Sequence, residues 1–326
     1  MRNTEKMFKV VVFGGGTGLS CLLSGLKLFP IDVTTVIAVS DNGSSTGTLK
    51  TELNIPAVGD VGKVLLSMAN VDEDFINLLG YRFYQEGSLH NHPIRNILLA
   101  ALIDLKGNLT EATKYMSSLL NIRGTVLPLT EEKVDVVGLA RDRMFFGEEE
   151  VSQNVHRIET LTYDHPFTVS DEIKEKILGA DLIILSPGSL YTSIIPHLIS
   201  EDITNTIARA KAPIMYVSNL VTQPGETDEG TLSSHLEILN RFLKHRTVDI
   251  ALANESVIDE AVRRRYLETE GKQIIRIDHE KIDDMGVEVI PGDIFCIDDG
   301  RIRHNALKSA YMIFSYLMDR EISSDK

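Results

Sequence analysis

The sequence predicts an α/β protein built on a mostly parallel sheet, and two observations carry that reading. Short apolar runs rich in β-branched and aliphatic residues alternate with longer amphipathic segments, the pattern of a parallel sheet layered with helices. Each apolar run leads directly into a turn-forming or polar cluster. The runs at 9–13, 33–39, 181–186, 213–218 and 248–253 are therefore expected to be buried strands. Between them, apolar residues recur at helical spacing. Ile94, Ile97, Leu98, Ala101, Leu102 and Leu105 form one stripe, with Pro93 suited to a first helical turn. Leu232, Leu236, Leu239 and Leu243 form a second, and Leu307, Ala310, Tyr311, Phe314, Leu317 and Met318 a third, with Asn305 as its cap. Between Thr125 and Tyr163 valines and isoleucines sit among charges, which predicts a small β-rich insertion at about 122–163. With no internal repeat, low-complexity tract or long linker, the chain reads as one domain over 1–326 that carries this insertion.

Composition narrows the partners. At 326 residues, 43% of them hydrophobic and 25% charged, the chain is an ordinary globular sequence with enough length for a large core. Lys and Arg number 33 against 47 Asp and Glu, a formal charge of −14. That balance argues against nucleic acid and against an anionic membrane surface, both of which call for clustered positive charge. Cys21 and Cys296 are the only cysteines, too few for a disulfide framework or a four-cysteine zinc site. The apolar run at 8–13 is too short for a signal-peptide core, and no stretch reaches the ~18–20 apolar residues of a membrane span. The expected compartment is the cytoplasm.

The chemistry is expected at the strand ends. Val10-Val11-Val12-Phe13 enters Gly14-Gly15-Gly16-Thr17-Gly18, a turn in which bare backbone N–H groups and a helix N-terminus meet an anion, with Gly15, Gly16, Thr17 and Gly18 as contacts. It is neither a dinucleotide fingerprint, which would need Gly where Leu19 stands, nor a Walker loop, which would end in Lys-Ser/Thr. After the second strand comes Ser40-Asp41-Asn42-Gly43-Ser44-Ser45-Thr46-Gly47. Asp41 is placed to grip a ribose diol, and Ser44, Ser45 and Thr46 offer hydroxyls to phosphate. Asp60 reads either as a helix cap or as a ligand contact. In His90-Asn91-His92-Pro93-Ile94-Arg95-Asn96 no carboxylate completes a zinc-like set, so His92 and Asn96 are read as ligand hydrogen-bonders and no protein-only metal site is expected. The second half supplies another cradle at Pro187-Gly188-Ser189-Leu190-Tyr191-Thr192-Ser193, followed by Asn219, Thr222, Gln223 and the run Pro224-Gly225-Glu226-Thr227. Arg303 is a candidate fork for phosphate, whereas Arg263, Arg264 and Arg265 read as a solvated helix face. Because strand C-termini share one edge of a parallel sheet, these distant loops are expected to converge on one ligand.

These motifs, in this order, resemble the 2-phospho-L-lactate transferase-like (CofD-like) superfamily, and within it the bacterial gluconeogenesis factor branch (YvcK type). The resemblance covers nearly the whole chain. It implies a three-layer Rossmann-like fold and two candidate functions. One is a cytoplasmic regulator that binds a UDP-sugar such as UDP-N-acetylglucosamine, acts on an enzyme of amino-sugar synthesis, and supports cell shape and envelope-precursor supply on gluconeogenic carbon. In that reading the two glycine loops hold the diphosphate, Tyr191 and Asn42 belong to the binding loops, and Asp41 and Asn219 contact sugar or ribose hydroxyls. The other is a Mg²⁺-dependent transferase that moves a phospholactyl group from a nucleotide-activated donor, with Asp41 or Asp60 holding the ion. This chain has Gly62 where the family pattern carries a basic residue, and Arg95 where it carries glycine. A nicotinamide dehydrogenase fits less well, given Leu19 and the 27-residue spacing from Gly14 to Asp41. A homodimer is expected from the fold class.

Overall fold

The computed structural model describes residues 7–324, with the side chains at 44, 323 and 324 outside the described set. Its strands are β1 (Phe8–Gly14), β2 (Ile31–Ile37), β3 (Thr125–Pro128), β4 (Val136–Leu139), β5 (Met144–Phe146), β6 (Thr160–Tyr163), β7 (Leu182–Leu185), β8 (Ile214–Val217), β9 (Ile250–Asn254), β10 (Glu288–Gly292), β11 (Phe295–Asp298) and β12 (Arg301–His304). Seven of them form one sheet in the order β10-β9-β8-β7-β1-β2-β3, and every pairing within it is parallel. The register sets Val10 beside Val33 on one side and Leu182 on the other.

Alternation along β1 explains the layering. Val10 and Val12 point into one apolar core and Val11 and Phe13 into the other, so the strand is covered on both faces. The first core is closed by α1 (Gly16–Leu26), α3 (Gly59–Met68), α5 (Ile94–Lys106), α6 (Leu109–Leu119), α12 (Glu260–Glu270) and α14 (Ala306–Ser324). The polar α2 (Ser44–Glu52) and the short α4 (Glu73–Gly80) flank it. The second core is closed by α7 (Gly147–Asn154), α8 (Asp171–Leu178), α9 (Ile195–Leu198), α10 (Glu201–Arg209), α11 (Leu232–Leu243) and α13 (His279–Asp284). This is the three-layer Rossmann-like α/β arrangement expected. Local chemistry fixes the ends. Asn305 Oδ1 accepts from Lys308 N–H at 3.0 Å, the cap expected for α14, and Asn108 does the same for α6 through Glu111 N–H at 2.8 Å.

Two strands of the main sheet, β3 and β10, were not expected as such. Both are edge strands and both contain proline, Pro128 and Pro291, which a parallel ladder tolerates only at its margin. The segment expected as an insertion at 122–163 thus divides. Thr125–Pro128 pairs parallel to β2, and the antiparallel sheet β5-β4-β6 with α7 starts at Val136. A further hairpin joins β11 to β12 through Asp299 and Gly300, at φ +46° and +68°, the left-handed pair that a tight two-residue turn requires.

The chain builds β1, β2 and β3 outward in one direction, then returns to place β7 on the other side of β1. The reversal lies between β1 and β7, and the crevice beyond their C-terminal ends is where such sheets bind ligands.

Candidate functional site

A cavity of about 430 Å³ opens at that reversal. Thr17 and Gly18 line it from the first turn of α1, Gly188 and Ser189 from the loop after β7, Asn219, Thr222 and Gln223 from the loop after β8, and Arg303 from β12. The expected convergence is therefore present for these eight residues, drawn from segments almost 290 positions apart. Cys21 and Lys272 line it too, without a mark in their sequence surroundings, and so does His304, the neighbour of Arg303.

The cradle is held by short hydrogen bonds. Asn219 clasps Gly188 from both sides: Gly188 N–H donates to Asn219 Oδ1 and Asn219 Nδ2 donates to Gly188 O, each at 2.8 Å. Ser189 Oγ accepts from Thr192 N–H at 3.1 Å, capping a π-helical turn over Leu190–Ile194, an unusual element that favours functional sites. Thr222 is engaged with Gln273 through both its N–H (2.7 Å) and its hydroxyl (2.9 Å). Arg303 Nε lies 3.4 Å from Asp298 Oδ2 but has no hydrogen bond, although that atom is buried. The ion pair with Asp298 offsets part of this charge, and the half-exposed guanidinium keeps an N–H without a hydrogen-bond acceptor.

Asp60 ties this cavity to a second group of side chains. Its Oδ2 accepts from Gly16 N–H at 3.2 Å and its Oδ1 pairs with Lys63 at 2.8 Å. Of its two readings the cap is excluded, since Asp60 lies inside α3 and organises the loop of another element. Glu148, from the first turn of α7, joins Asp41, Asp60 and Lys63 here and takes a hydrogen bond from the Thr192 hydroxyl. Burial, with Asp41 and Asp60 adding repulsion, holds the Glu148 carboxyl up at about 8. An acid whose folded value exceeds its unfolded value withdraws stability as pH rises from about 4.5 toward 8. Glu148→Gln is therefore expected to raise the midpoint of thermal unfolding by roughly 5 °C at pH 8 and hardly at all at pH 5. Equal shifts at both pH values would show the carboxyl to be unperturbed.

Other expected contacts meet one another. Ser45 Oγ bonds His92 Nδ1 at 2.8 Å and Asn96 Nδ2 at 3.3 Å, all three buried, and none lines the 430 Å³ cavity. Asn42 Oδ1 accepts from Glu149 N–H at 3.2 Å and fastens the insertion. Tyr191 is buried with its ring edge-on to Phe242, and burial pushes its hydroxyl up. The Ser44 side chain lies outside the described residues. The two departures from the family pattern touch: a Cβ on Gly62 would stand 3.1 Å from Arg95 Cδ, so the glycine makes room for the arginine. A larger groove of about 760 Å³ runs beside Arg263 and Arg264, but those arginines pair with Glu260 (3.2 Å) and Glu268 (3.1 Å) on the face of α12, and no glycine-rich loop faces it.

Carboxylates suited to Mg²⁺ are present in that second group. Asp41 and Asp60 are the residues that would hold an ion together with ligand phosphates, and the raised Glu148 marks negative charge that a cation would relieve. Among the described residues no cluster of three His, Cys, Asp or Glu side chains is arranged as a metal cage, and none of the helices is long and apolar enough to cross a membrane.

Fold and site together define a Rossmann-like protein with a cavity at the sheet's reversal point, lined by glycine-rich strand-end segments. The 2-phospho-L-lactate transferase CofD family model matches residues 10–295, and the chain belongs to that family, in its gluconeogenesis factor branch. It is 37% identical over 314 residues to the gluconeogenesis factor of Bacillus subtilis, covering 95% of this chain and 98% of the relative. It is 36% identical over 306 residues to that of Halalkalibacterium halodurans, covering 93% and 94%. The crystal structure of a Bacillus halodurans protein superposes with a TM-score of 0.90 at 35% identity, covering 95% of this chain and 100% of that one.

Proposed function

We propose that the protein is a cytoplasmic regulator that binds a nucleotide-diphosphate sugar of the UDP-N-acetylglucosamine class and signals its supply to an enzyme of amino-sugar synthesis. In that role it sustains envelope-precursor supply and cell shape on gluconeogenic carbon. The observation that carries the reading is the cavity at the sheet's reversal, lined by the first turn of α1, the closely approaching loop after β7, and Arg303. Its volume of about 430 Å³ falls in the range of small-ligand sites, roughly 300–1,000 Å³. Diphosphate rests on the first-turn amides of α1 at Thr17 and Gly18, Ser189 and Arg303 add donors, and Gln223 reaches hydroxyls, while Gly188, its own N–H held by Asn219, shapes the opposite wall.

Isothermal titration with UDP-N-acetylglucosamine tests this, and absence of heat at millimolar ligand refutes it. Arg303→Ala is expected to weaken binding about 10-fold, the value of one charge-assisted hydrogen bond near 1.4 kcal/mol. An unchanged affinity would remove Arg303 from the site.

A second reading is favoured by the carboxylates beside the cradle. Asp41 and Asp60 next to a diphosphate site suit a Mg²⁺-assisted transfer of the phospholactyl type, in which positioning and charge neutralisation do the chemistry. Mass spectrometry after incubation with Fo, the deazaflavin precursor, and a nucleotide-activated phospholactate decides between the readings.

A further inference from the structure

We propose that Glu226 is a positioning residue of the anion cradle and that it takes up one proton from solvent when a diphosphate diester binds. The inference rests on the ligand class proposed above and assigns the control of that same site. Glu226 lies in the loop between β8 and α11 and is 8% exposed. Its Oε1 accepts from Ser189 Oγ and from Tyr191 N–H, both at 2.7 Å, and its Oε2 is buried without a hydrogen-bond partner.

The geometry puts Ser189 in conflict. Its oxygen already receives Thr192 N–H, and its single hydroxyl proton points at Glu226, away from any guest in the cavity it lines. With Glu226 ionised, the hydroxyl has nothing left to donate to phosphate, and a negative charge stands behind the loop that must receive two more. With Glu226 protonated, the bond reverses. The acid donates to Ser189 Oγ, and the serine proton turns to a phosphate oxygen. The proton comes from solvent and stays on the carboxyl, so charge and atoms balance.

The surroundings make this titration available near neutral pH. Burial raises the Glu226 carboxyl to about 7 against the lowering effect of Tyr191 N–H, Leu190 N–H and Ser189 Oγ. The ionisable groups that feel its charge are Tyr191 and, from β8, Tyr216; behind them His235 of α11 bonds the Tyr216 hydroxyl at 2.9 Å and Arg241 acts on Tyr191. Asp228, in the same loop, is turned to Gly225 N–H at 2.8 Å. Burial pushes both tyrosines up and His235 down to about 4, so these neighbours keep one state across the neutral range. Glu226 is the member of this set that changes.

Calorimetry in two buffers of different ionisation enthalpy reads the uptake directly. UDP-N-acetylglucosamine is the first probe and ADP-ribose the second, and neither diphosphate bridge titrates near neutrality. At pH 7 about half a proton is expected per ligand bound, since a group with a value of about 7 is half ionised there. Glu226→Gln mimics the protonated acid. It is expected to bind at least as tightly as the wild type, with the uptake gone and affinity flat between pH 6 and 8. Binding without uptake overturns the proposal and leaves the nucleotide-sugar reading standing. So does uptake that survives in the variant, or a folded variant that no longer binds. Silence of the first probe with uptake on the second rejects the UDP-sugar but keeps Glu226, and silence of both rejects the two together. If the variant does not fold, Ser189→Ala, which leaves Glu226 no hydroxyl to redirect, is expected to bind more weakly and without the uptake, and uptake that survives in it overturns the proposal.

Discussion

Gly18→Ala is expected to weaken binding of a nucleotide-sugar about 100-fold, near 2.7 kcal/mol, by forcing apart the two loops that form the cradle. A methyl at this position would stand 2.2 Å from Pro187 O and 2.8 Å from Pro187 C. Both are backbone atoms, so no rotamer change relieves the contact, and the loop after β7 must move bodily. That loop has little freedom, because Asn219 holds Gly188 by N–H and C=O together. The displacement therefore either breaks the clasp or pushes α1 outward. Stability is expected to fall by about 1–3 kcal/mol, the usual result of overpacking. Gly16→Ala provides the contrast. No atom lies within 4 Å of its added methyl, and its cost comes from φ +66°, about 1–2 kcal/mol of left-handed strain with the loop spacing intact. Titration calorimetry beside thermal unfolding separates the two variants. Equal affinities in Gly18→Ala and wild type would show that the close approach of the loops is irrelevant to the ligand.

That contrast also shows what was legible in the sequence. Glycine runs after β-branched strands announce backbone that must approach something, and the rule that parallel strands end on one edge brings Gly18, Ser189, Asn219 and Thr222 together without coordinates. The local signal identifies the loops but not the partner of each side chain. The sequence reads Ser45 as a phosphate contact and His92 and Asn96 as ligand hydrogen-bonders, whereas the structure turns the three toward one another. Asp60 was open between cap and contact because the Gly16 amide that it holds is 44 positions away in sequence. Glu148 is hidden in Glu148-Glu149-Glu150, where an exposed acidic helix start and a half-buried carboxyl read alike. The hairpin of β11 and β12 carries its signal in Asp299-Gly300, a turn pair between short alternating runs, and it is this turn that places Arg303. The edge strands were obscured by Pro128 and Pro291, the residues that an edge position accommodates.

Asp135→Ala is expected to destabilise the fold by about 2–3 kcal/mol and to loosen the carboxylate side of the site. Lys50 is 2% exposed, and its ammonium is met by Asp135 Oδ1 and Val134 O, each at 2.7 Å. Removing the carboxylate leaves a buried cation with one carbonyl. Breaking such a pair costs ~3–5 kcal/mol when both partners are enclosed, and the smaller figure follows because Asp135 is 32% exposed, so water replaces part of the lost interaction. The bond fastens α2 to the start of the insertion, and Asn42 with Glu149 N–H is a second fastening. Asp41 lies just before α2 and Glu148 in the first turn of α7, so the burial that chiefly raises Glu148, and the repulsion that Asp41 adds, depend on how firmly the insertion is held. With the insertion loosened, water reaches Glu148 and its value falls toward that of an ordinary carboxyl, which removes part of the pH dependence of stability. Lys50→Met in the same background is expected to recover most of the loss, because it takes away the stranded charge and keeps the apolar stem. Denaturant unfolding of the two single variants and the double variant at pH 5 and pH 8 measures both effects. If Asp135→Ala unfolds like the wild type, Lys50 does not need its carboxylate partner, and the insertion is held by its apolar core around Phe145 and Val151 alone.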